Sequence, residues 1–304
     1  MIMKIKFIII LAIVSSTNIL AQSDVRLNSY MFRSSITNPA YMSLNNILEF
    51  DLLFKNQWTL FPGAPVSLYF NGAYYLDDLK SKVGIRITQD EIGYTSSTDV
   101  DFIYSYGTEI NYNSSLHLGF ALSYQNQSYD REKIFSNNMY DPAIYNLVSN
   151  QSKPNADIGI IFTNRNWTFG YNGLNLFSLV REEKFRFNNT NILYTAFLHE
   201  IDRYLEFRYG INLVQTKNIF QTDIHILSII KSFDNRLVEI GGFVRSKYEV
   251  GFIFGIDLSP SWHIYYNYDY NFSSINTRSI GSHEIMLSYA IRKSYKCRDW
   301  YYNF

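Results

Sequence analysis

Apolar and polar residues alternate along most of this chain with a period of two, the spacing of side chains that share one face of a β-strand. In residues 48–55 every even position is apolar, and charges occur only at odd positions. The same alternation recurs in 116–125, 205–213 and 262–270. The pattern therefore predicts a β-sheet protein whose strands have one apolar and one polar face.

Ten further segments carry shorter or less regular versions of this pattern. They are 66–76, 83–88, 98–110, 156–163, 166–172, 190–199, 219–231, 236–246, 248–258 and 280–291. The total is about fourteen strands, an even number as bacterial single-chain membrane barrels require. A soluble two-sheet sandwich would also alternate, but its apolar face would point inward to a core. The segment from Leu174 to Val180 fits a strand or a helical turn equally well.

The composition favours the membrane barrel over the sandwich. Aromatic residues make up 17% of the chain, with 26 tyrosines and 23 phenylalanines, and aromatic girdles at two membrane interfaces would use such a supply. A single cysteine, Cys297, excludes an internal disulfide framework. The formal net charge is zero, which is not the electrostatic pattern of a nucleic-acid binder. We predict an all-β fold, a transmembrane antiparallel β-barrel of about fourteen strands.

The first residues are typical of an export signal. Lys4 and Lys6 precede a short apolar run, Phe7 to Val14, and Ala21 is the expected cleavage position. We therefore expect a cleaved signal peptide and a single barrel domain located in the outer membrane, with lipid around it. The expected boundaries are 1–21 for the signal peptide and 22–304 for the domain, divided into an N-terminal segment 22–46, a barrel of about 47–292 and a tail 293–304.

Residues 127–155 interrupt the alternation and predict a long connection after the fifth strand. Counting strands from a periplasmic N-terminus places this connection on the outer side. Large apolar side chains in it are candidate anchors for a partner protein, and they could equally pack against the barrel itself. The candidates are Tyr129, Phe135, Tyr140 and Tyr145.

No arrangement of residues predicts catalysis. The five histidines lie on different predicted strands without the paired spacing of a zinc site. Ser282, His283 and Glu284 are consecutive, so on a strand their side chains point alternately to opposite faces and cannot form a catalytic triad. We predict no metal, no cofactor and no enzymatic activity.

Several short motifs follow one another in a specific order. In isolation their prolines and glycines are typical turn residues. The motif residues are Asn38, Pro39 and Ala40 before Tyr41, then Gln57, Trp58, Gly63 and Pro65, then Asp90 and Gly93, then Asp141 and Pro142, then Asp157 and Gly159, and finally Gly281, Ser282, His283 and Glu284. In order and spacing this set resembles the PorP/SprF family of type IX secretion system outer-membrane proteins.

The resemblance implies a non-enzymatic barrel of the type IX secretion and gliding machinery, which assists export or surface attachment of a large partner protein such as an adhesin. It implies cargo with a C-terminal sorting domain and contacts with periplasmic or outer-membrane subunits of the machinery. The motif residues would be structural or partner-binding. The alternative function is a porin or hydrophobic-solute channel. Bulky residues expected to face inward, Tyr69, Tyr75, Tyr265 and Met286, favour a filled lumen over an open one.

Overall fold

The computed structural model describes residues 27–41, 46–130, 150–180, 188–232, 235–246, 249–273 and 277–293. These residues form fourteen antiparallel strands, each paired with the next, and β1 pairs with β14 to close the barrel. The strands are β1 Asn46–Asn56, β2 Val66–Leu76, β3 Ser81–Ile92, β4 Thr95–Asn111, β5 Ser114–Tyr129, β6 Asn150–Asn164, β7 Trp167–Leu174, β8 Thr190–Glu200, β9 Leu205–Thr216, β10 Ile219–Ser232, β11 Asn235–Arg245, β12 Glu249–Asp257, β13 Trp262–Asn271 and β14 Ser282–Arg292.

The predicted fold class is therefore confirmed, and one boundary is wrong. The irregular stretch is not 127–155, because β5 continues to Tyr129 and β6 begins at Asn150, where Ser128 pairs with Asn150. Both faces of these strand ends are polar, which hides the alternation. The segment after Leu174 contains a 3₁₀ turn at Leu176–Leu179. No helix in the described residues is long and apolar enough to cross a membrane.

The two faces of the wall differ as a membrane barrel requires. Large apolar side chains such as Leu52, Phe102 and Ile211 point outward and are exposed. Polar side chains between them, such as Asp51 and Asn212, point inward and are buried. Because the apolar face is the outer face, the arrangement is the reverse of a soluble sandwich.

The two ends of the barrel also differ. The strand termini at Asn46 and Arg292 lie at one end, which we call the turn end, together with short connections such as 112–113 and 165–166. The opposite end, the loop end, carries the longer connections 57–65, 130–149, 175–189 and 272–281. In bacterial barrels the short turns face the periplasm and the long loops face outward.

The barrel interior contains the start of the described chain. Residues 27–41, which we call the lumen segment, include two 3₁₀ turns, Asn28–Met31 and Ser34–Ile36. Most of its side chains are buried. Tyr30, Met31, Phe32 and Ile36 join inward-facing wall residues in one apolar cluster. All four bulky residues expected to face inward, Tyr69, Tyr75, Tyr265 and Met286, are buried.

Candidate functional site

The lumen segment runs along the interior from the loop end to the turn end. At its start, Asn28 contacts residues near the loop ends of β11, β13 and β14. At its end, Lys82, the second residue of β3, donates a hydrogen bond to the carbonyl of Tyr41. The segment thus traverses most of the barrel height, and its contacts with the wall define the candidate site.

Glu284 holds the first residues of the lumen segment. Its two carboxylate oxygens accept hydrogen bonds from the backbone amides of Asn28 at 2.7 Å and Ser29 at 2.6 Å. Lys55 lies 3.4 Å from the same carboxylate and 3.6 Å from that of Asp269. All of these groups are buried, so each charge is matched by an opposite charge or a hydrogen-bond donor, as a low-dielectric interior demands.

The middle of the lumen segment combines ion pairs with aromatic packing. The guanidinium of Arg33 lies 3.5 Å from the carboxylate of Asp51 and 3.7 Å from that of Glu49 on β1. Phe32 packs on Tyr265 with ring centroids 4.4 Å apart. This part of the segment is therefore fixed against both β1 and β13.

The Asn38-Pro39-Ala40 motif lies inside the lumen. It forms the turn that its sequence predicts, and it also packs against the barrel wall. The side-chain oxygen of Asn38 accepts the backbone amide of Ala40 at 2.8 Å, a tight local turn. This turn is pressed against two inward-facing glycines. A Cβ on Gly119 would lie 2.2 Å from the nitrogen of Ala40, and one on Gly159 would lie 2.0 Å from the side-chain oxygen of Asn38. The two glycines therefore make room for the motif.

Arg86 links the wall to the lumen segment. It bonds to Asp101 and lies 2.8 Å from Asp157, and all three side chains are buried. The other oxygen of Asp157 accepts the backbone amide of Asn175 at 2.8 Å, and Arg86 also reaches the carbonyl of Ile36 at 3.4 Å. Arg86 and Asp157 together thus connect β3, β4, β6 and the connection after β7.

Several other motif residues meet at the loop end in what we call the loop cluster, formed by residues 57–65, Gly93, Gly281 and Ser282. The amide of Trp58 donates to the hydroxyl of Ser282 at 3.2 Å. The amide of Gln57 donates to the carbonyl of Pro65 at 2.9 Å, and that of Gly93 donates to Gly63 at 3.1 Å. Gly63 has a φ of +72°, which favours glycine. These bonds join three separate loops.

His283 and the predicted partner residues lie elsewhere. His283 faces outward, with its ring nitrogen 2.8 Å from the hydroxyl of Tyr266, whereas Ser282 and Glu284 face inward. Tyr129 is not a loop residue, since it ends β5 and its hydroxyl accepts a hydrogen bond from Gln127 at 2.5 Å. Five residues lie outside the described residues, namely Phe135, Tyr140, Asp141, Pro142 and Tyr145.

No group of three histidine, cysteine, aspartate or glutamate side chains in the described ranges is placed to hold a metal ion. Several basic residues of the lumen were not predicted from the sequence as site residues, namely Arg33, Lys55, Arg86 and Arg245. For the last three, the signal was a charged residue at an inward-facing position of an alternating strand. Arg33 precedes the first strand and gave no comparable signal.

A cavity of about 430 Å³ remains between the lumen segment and part of the wall. Its lining includes Ile192 on β8, Val214 and Arg208 on β9, and Met31 of the lumen segment. The segment therefore occupies the lumen without filling it completely.

Comparison with known proteins gives one family. The family model described as type IX secretion system membrane protein PorP/SprF matches residues 19–289. No curated protein sequence matches the chain.

Solved structures share the fold at very low identity. A TodX deltaS2S3 mutant, a monoaromatic hydrocarbon channel, has a TM-score of 0.50 and 8% identity, over 88% of this chain and 94% of that one. The P. putida toluene transporter TodX has a TM-score of 0.49 and 10% identity, over 86% of this chain and 94% of that one. The Acinetobacter baumannii outer membrane protein Omp33 has a TM-score of 0.47 and 9% identity, over 83% of this chain and 100% of that one.

Proposed function

Because the chain belongs to the PorP/SprF family of type IX secretion system membrane proteins, we propose that it is a non-enzymatic outer-membrane barrel that assists export or surface attachment of a large partner protein. An adhesin with a C-terminal sorting domain is the expected cargo. Periplasmic or outer-membrane subunits of the same machinery are the expected neighbours.

The observation that carries this proposal is the occupied lumen. The lumen segment is bonded to β14 through Glu284, to β3 through Arg86 and to β10 through Asp223, which lie on different sides of the barrel. Such a network of buried polar contacts favours one fixed arrangement, which suits a scaffold better than an open pore. Function would then reside in the surfaces at the two ends.

The loop end offers a surface that fits a partner protein. Exposed apolar side chains lie in three of its connections, and such side chains mark protein interaction sites where they form a continuous patch. They include Leu60, Val180, Phe272 and Ile280, whose exposed fractions are 73%, 87%, 62% and 52%. Leu60 belongs to the loop cluster and Ile280 lies beside it, since the amide of Ile280 donates to the carbonyl of Thr59 at 3.2 Å. The cluster would present these two side chains on a fixed backbone.

The test is surface attachment of the cargo in cells that carry Leu60→Ser together with Ile280→Ser. We expect a heat-modifiable, inserted barrel and a several-fold loss of attached cargo, because apolar anchors dominate dissociable interfaces. The matched control is Leu258→Ser, a 60% exposed residue at the turn end, which should leave attachment unchanged. Full attachment with the double variant would contradict the proposed surface. A second arm, Tyr129→Ser with Phe135→Ser and Tyr145→Ser, tests the end of β5 and the connection after it in the same way.

The non-enzymatic part of the proposal has its own test. Ser282 faces the lumen and His283 faces outward, so these neighbours do not share one site. We expect His283→Ala to leave any lipase or esterase activity of the purified barrel unchanged. Activity above background that is lost in this variant would contradict the proposal.

A porin or hydrophobic-solute channel is the second candidate, and the cavity beside the lumen segment is the observation that favours it. The discriminating experiment is solute entry into liposomes that contain the purified barrel. Rapid entry of small solutes would support the channel, whereas rates equal to those of protein-free liposomes would support the scaffold.

A further inference from the structure

The cavity beside the lumen segment has an apolar pair, Ile192 and Val214, between polar residues on one wall, and a basic residue, Arg208, toward its turn end. Along its β8–β9 wall, Thr190 pairs with Thr216, Ile192 with Val214, and Tyr194 with Asn212. Arg208 lies six residues before Val214 on β9, which places it about 20 Å further toward the turn end at the usual rise per strand residue. The cavity is therefore long relative to its volume of about 430 Å³.

Arg208 is the unusual residue in this lining. In the described part of the chain its guanidinium makes one hydrogen bond, to the carbonyl of Met31 at 3.4 Å, and no ion pair with a carboxylate. By contrast, Arg86 and Arg245 in the same lumen are each paired with two carboxylates. An arginine in a barrel interior without a counter-charge is costly.

The second arginine at this end does not supply the missing counter-charge. Arg236 also lines the cavity, and its guanidinium lies 3.3 Å from the carboxylate of Glu239. The carboxylate of Glu239 faces both guanidinium groups, and Asp257, which is paired with His263, also acts on Arg236. The carboxylates that line the cavity itself, Asp90, Asp99, Asp101 and Asp157, lie on β3, β4 and β6 and not beside Arg208. Among the described residues Arg208 therefore has no carboxylate of its own, and an anion bound at the turn end of the cavity would balance its charge.

We propose that this cavity binds a single-chain amphiphile with an anionic headgroup, whose carboxylate pairs with Arg208 and whose hydrocarbon chain lies along Ile192 and Val214. A guanidinium presents two parallel N–H donors to a carboxylate, which suits this headgroup. A small inorganic anion would leave the apolar wall uncovered. A neutral hydrocarbon would leave Arg208 without a counter-charge. This site is separate from the partner surface at the loop end.

The test uses hexadecanoate that carries a photoreactive diazirine on its chain. The full-length barrel is held in an amphipathic polymer, irradiated with the probe and mapped by peptide mass spectrometry. We expect labelled residues on the inner faces of β8 and β9, and competition by unlabelled hexadecanoate. The matched hexadecanol probe should bind on the order of tenfold to a hundredfold more weakly, because it lacks the charge-assisted hydrogen bonds to Arg208.

Two variants separate the headgroup from the chain. Arg208→Gln should weaken labelling by the carboxylate probe to the level of the alcohol. Val214→Trp keeps the cation and should block the chain, so it also abolishes labelling. The control Arg203→Gln changes an exposed cation in the 201–204 turn and should have no effect. Heat-modifiability confirms folding of each variant. Labelling confined to lipid-facing residues, or labelling that survives both lumen variants, would overturn the proposal.

Discussion

The outer wall and the lumen of this barrel are built by different rules. On the wall, each strand pairs with the strand next to it in the sequence, and an outward position can hold any large apolar side chain. In the lumen, the contacts are specific and join distant parts of the chain, such as Asn28 and Glu284, which are 256 residues apart. The wall therefore tolerates apolar exchange, whereas the lumen depends on individual partners.

This difference predicts that the two regions respond in opposite ways to the same kind of substitution. A new charge should cost more on the wall, where it meets lipid, than in the lumen, where it meets other polar groups. Removal of an existing charge should be costly in the lumen, because it leaves a buried partner unpaired. The following variants are ordered from the largest expected effect to the smallest.

Arg86→Leu should have the largest effect. It leaves the buried carboxylates of Asp101 and Asp157 without their cation, and the loss of one partner from a buried ion pair costs about 3 to 5 kcal/mol. The free energy of unfolding in urea, measured in lipid or detergent, gives the value. Arg165→Leu, at an exposed turn position, is the control and should cost little. Equal losses in the two variants would mean that the Arg86 pairs do not stabilise the lumen.

Ile211→Arg tests the wall. Ile211 lies in the middle of β9 and faces outward, so an arginine there should cost about 2 to 4 kcal/mol. The same change at Phe207 should also be costly, but at the adjacent inward position Asn212 it should cost much less. Folding assays into lipid vesicles measure all three. Similar costs at Ile211 and Asn212 would reject the assignment of the faces.

Glu284→Gln tests the anchor of the lumen segment. It weakens charge-assisted hydrogen bonds to the amides of Asn28 and Ser29, each worth about 1.5 to 3 kcal/mol. The readout is the rate at which a maleimide labels Ser29→Cys in a Cys297→Ser background. We expect faster labelling with Glu284→Gln than with the control Glu200→Gln, an exposed residue at the end of β8. Unchanged labelling would show that Glu284 does not retain the segment.

The strands could be predicted from sequence because alternation is a local property. Residues 66–76 match β2 at both ends. The prediction was wrong where both faces turn polar, as at Asn126 and Gln127, because alternation then leaves no trace in the sequence. Local pattern therefore specifies the wall wherever lipid lies on one side.

The lumen could not be predicted in the same way. Asn38, Pro39 and Ala40 have the composition of a turn, and nothing near them indicates that Gly119 and Gly159 make room for them. The family resemblance selected several lumen residues without showing that they meet. Charged residues at inward positions were a usable signal, but their pairing depends on the barrel register.

The occupied lumen is tested most directly by ion conductance in planar lipid bilayers. The full-length barrel is compared with a variant that lacks residues 27–41. Removal of the segment takes away its contacts with β1, β3, β13 and β14, while the strand pairing that closes the barrel remains. We predict low conductance for the full-length barrel and a stable, much larger conductance for the deletion variant. A full-length barrel that conducts as well as the deletion variant would contradict a lumen closed by its own N-terminal segment.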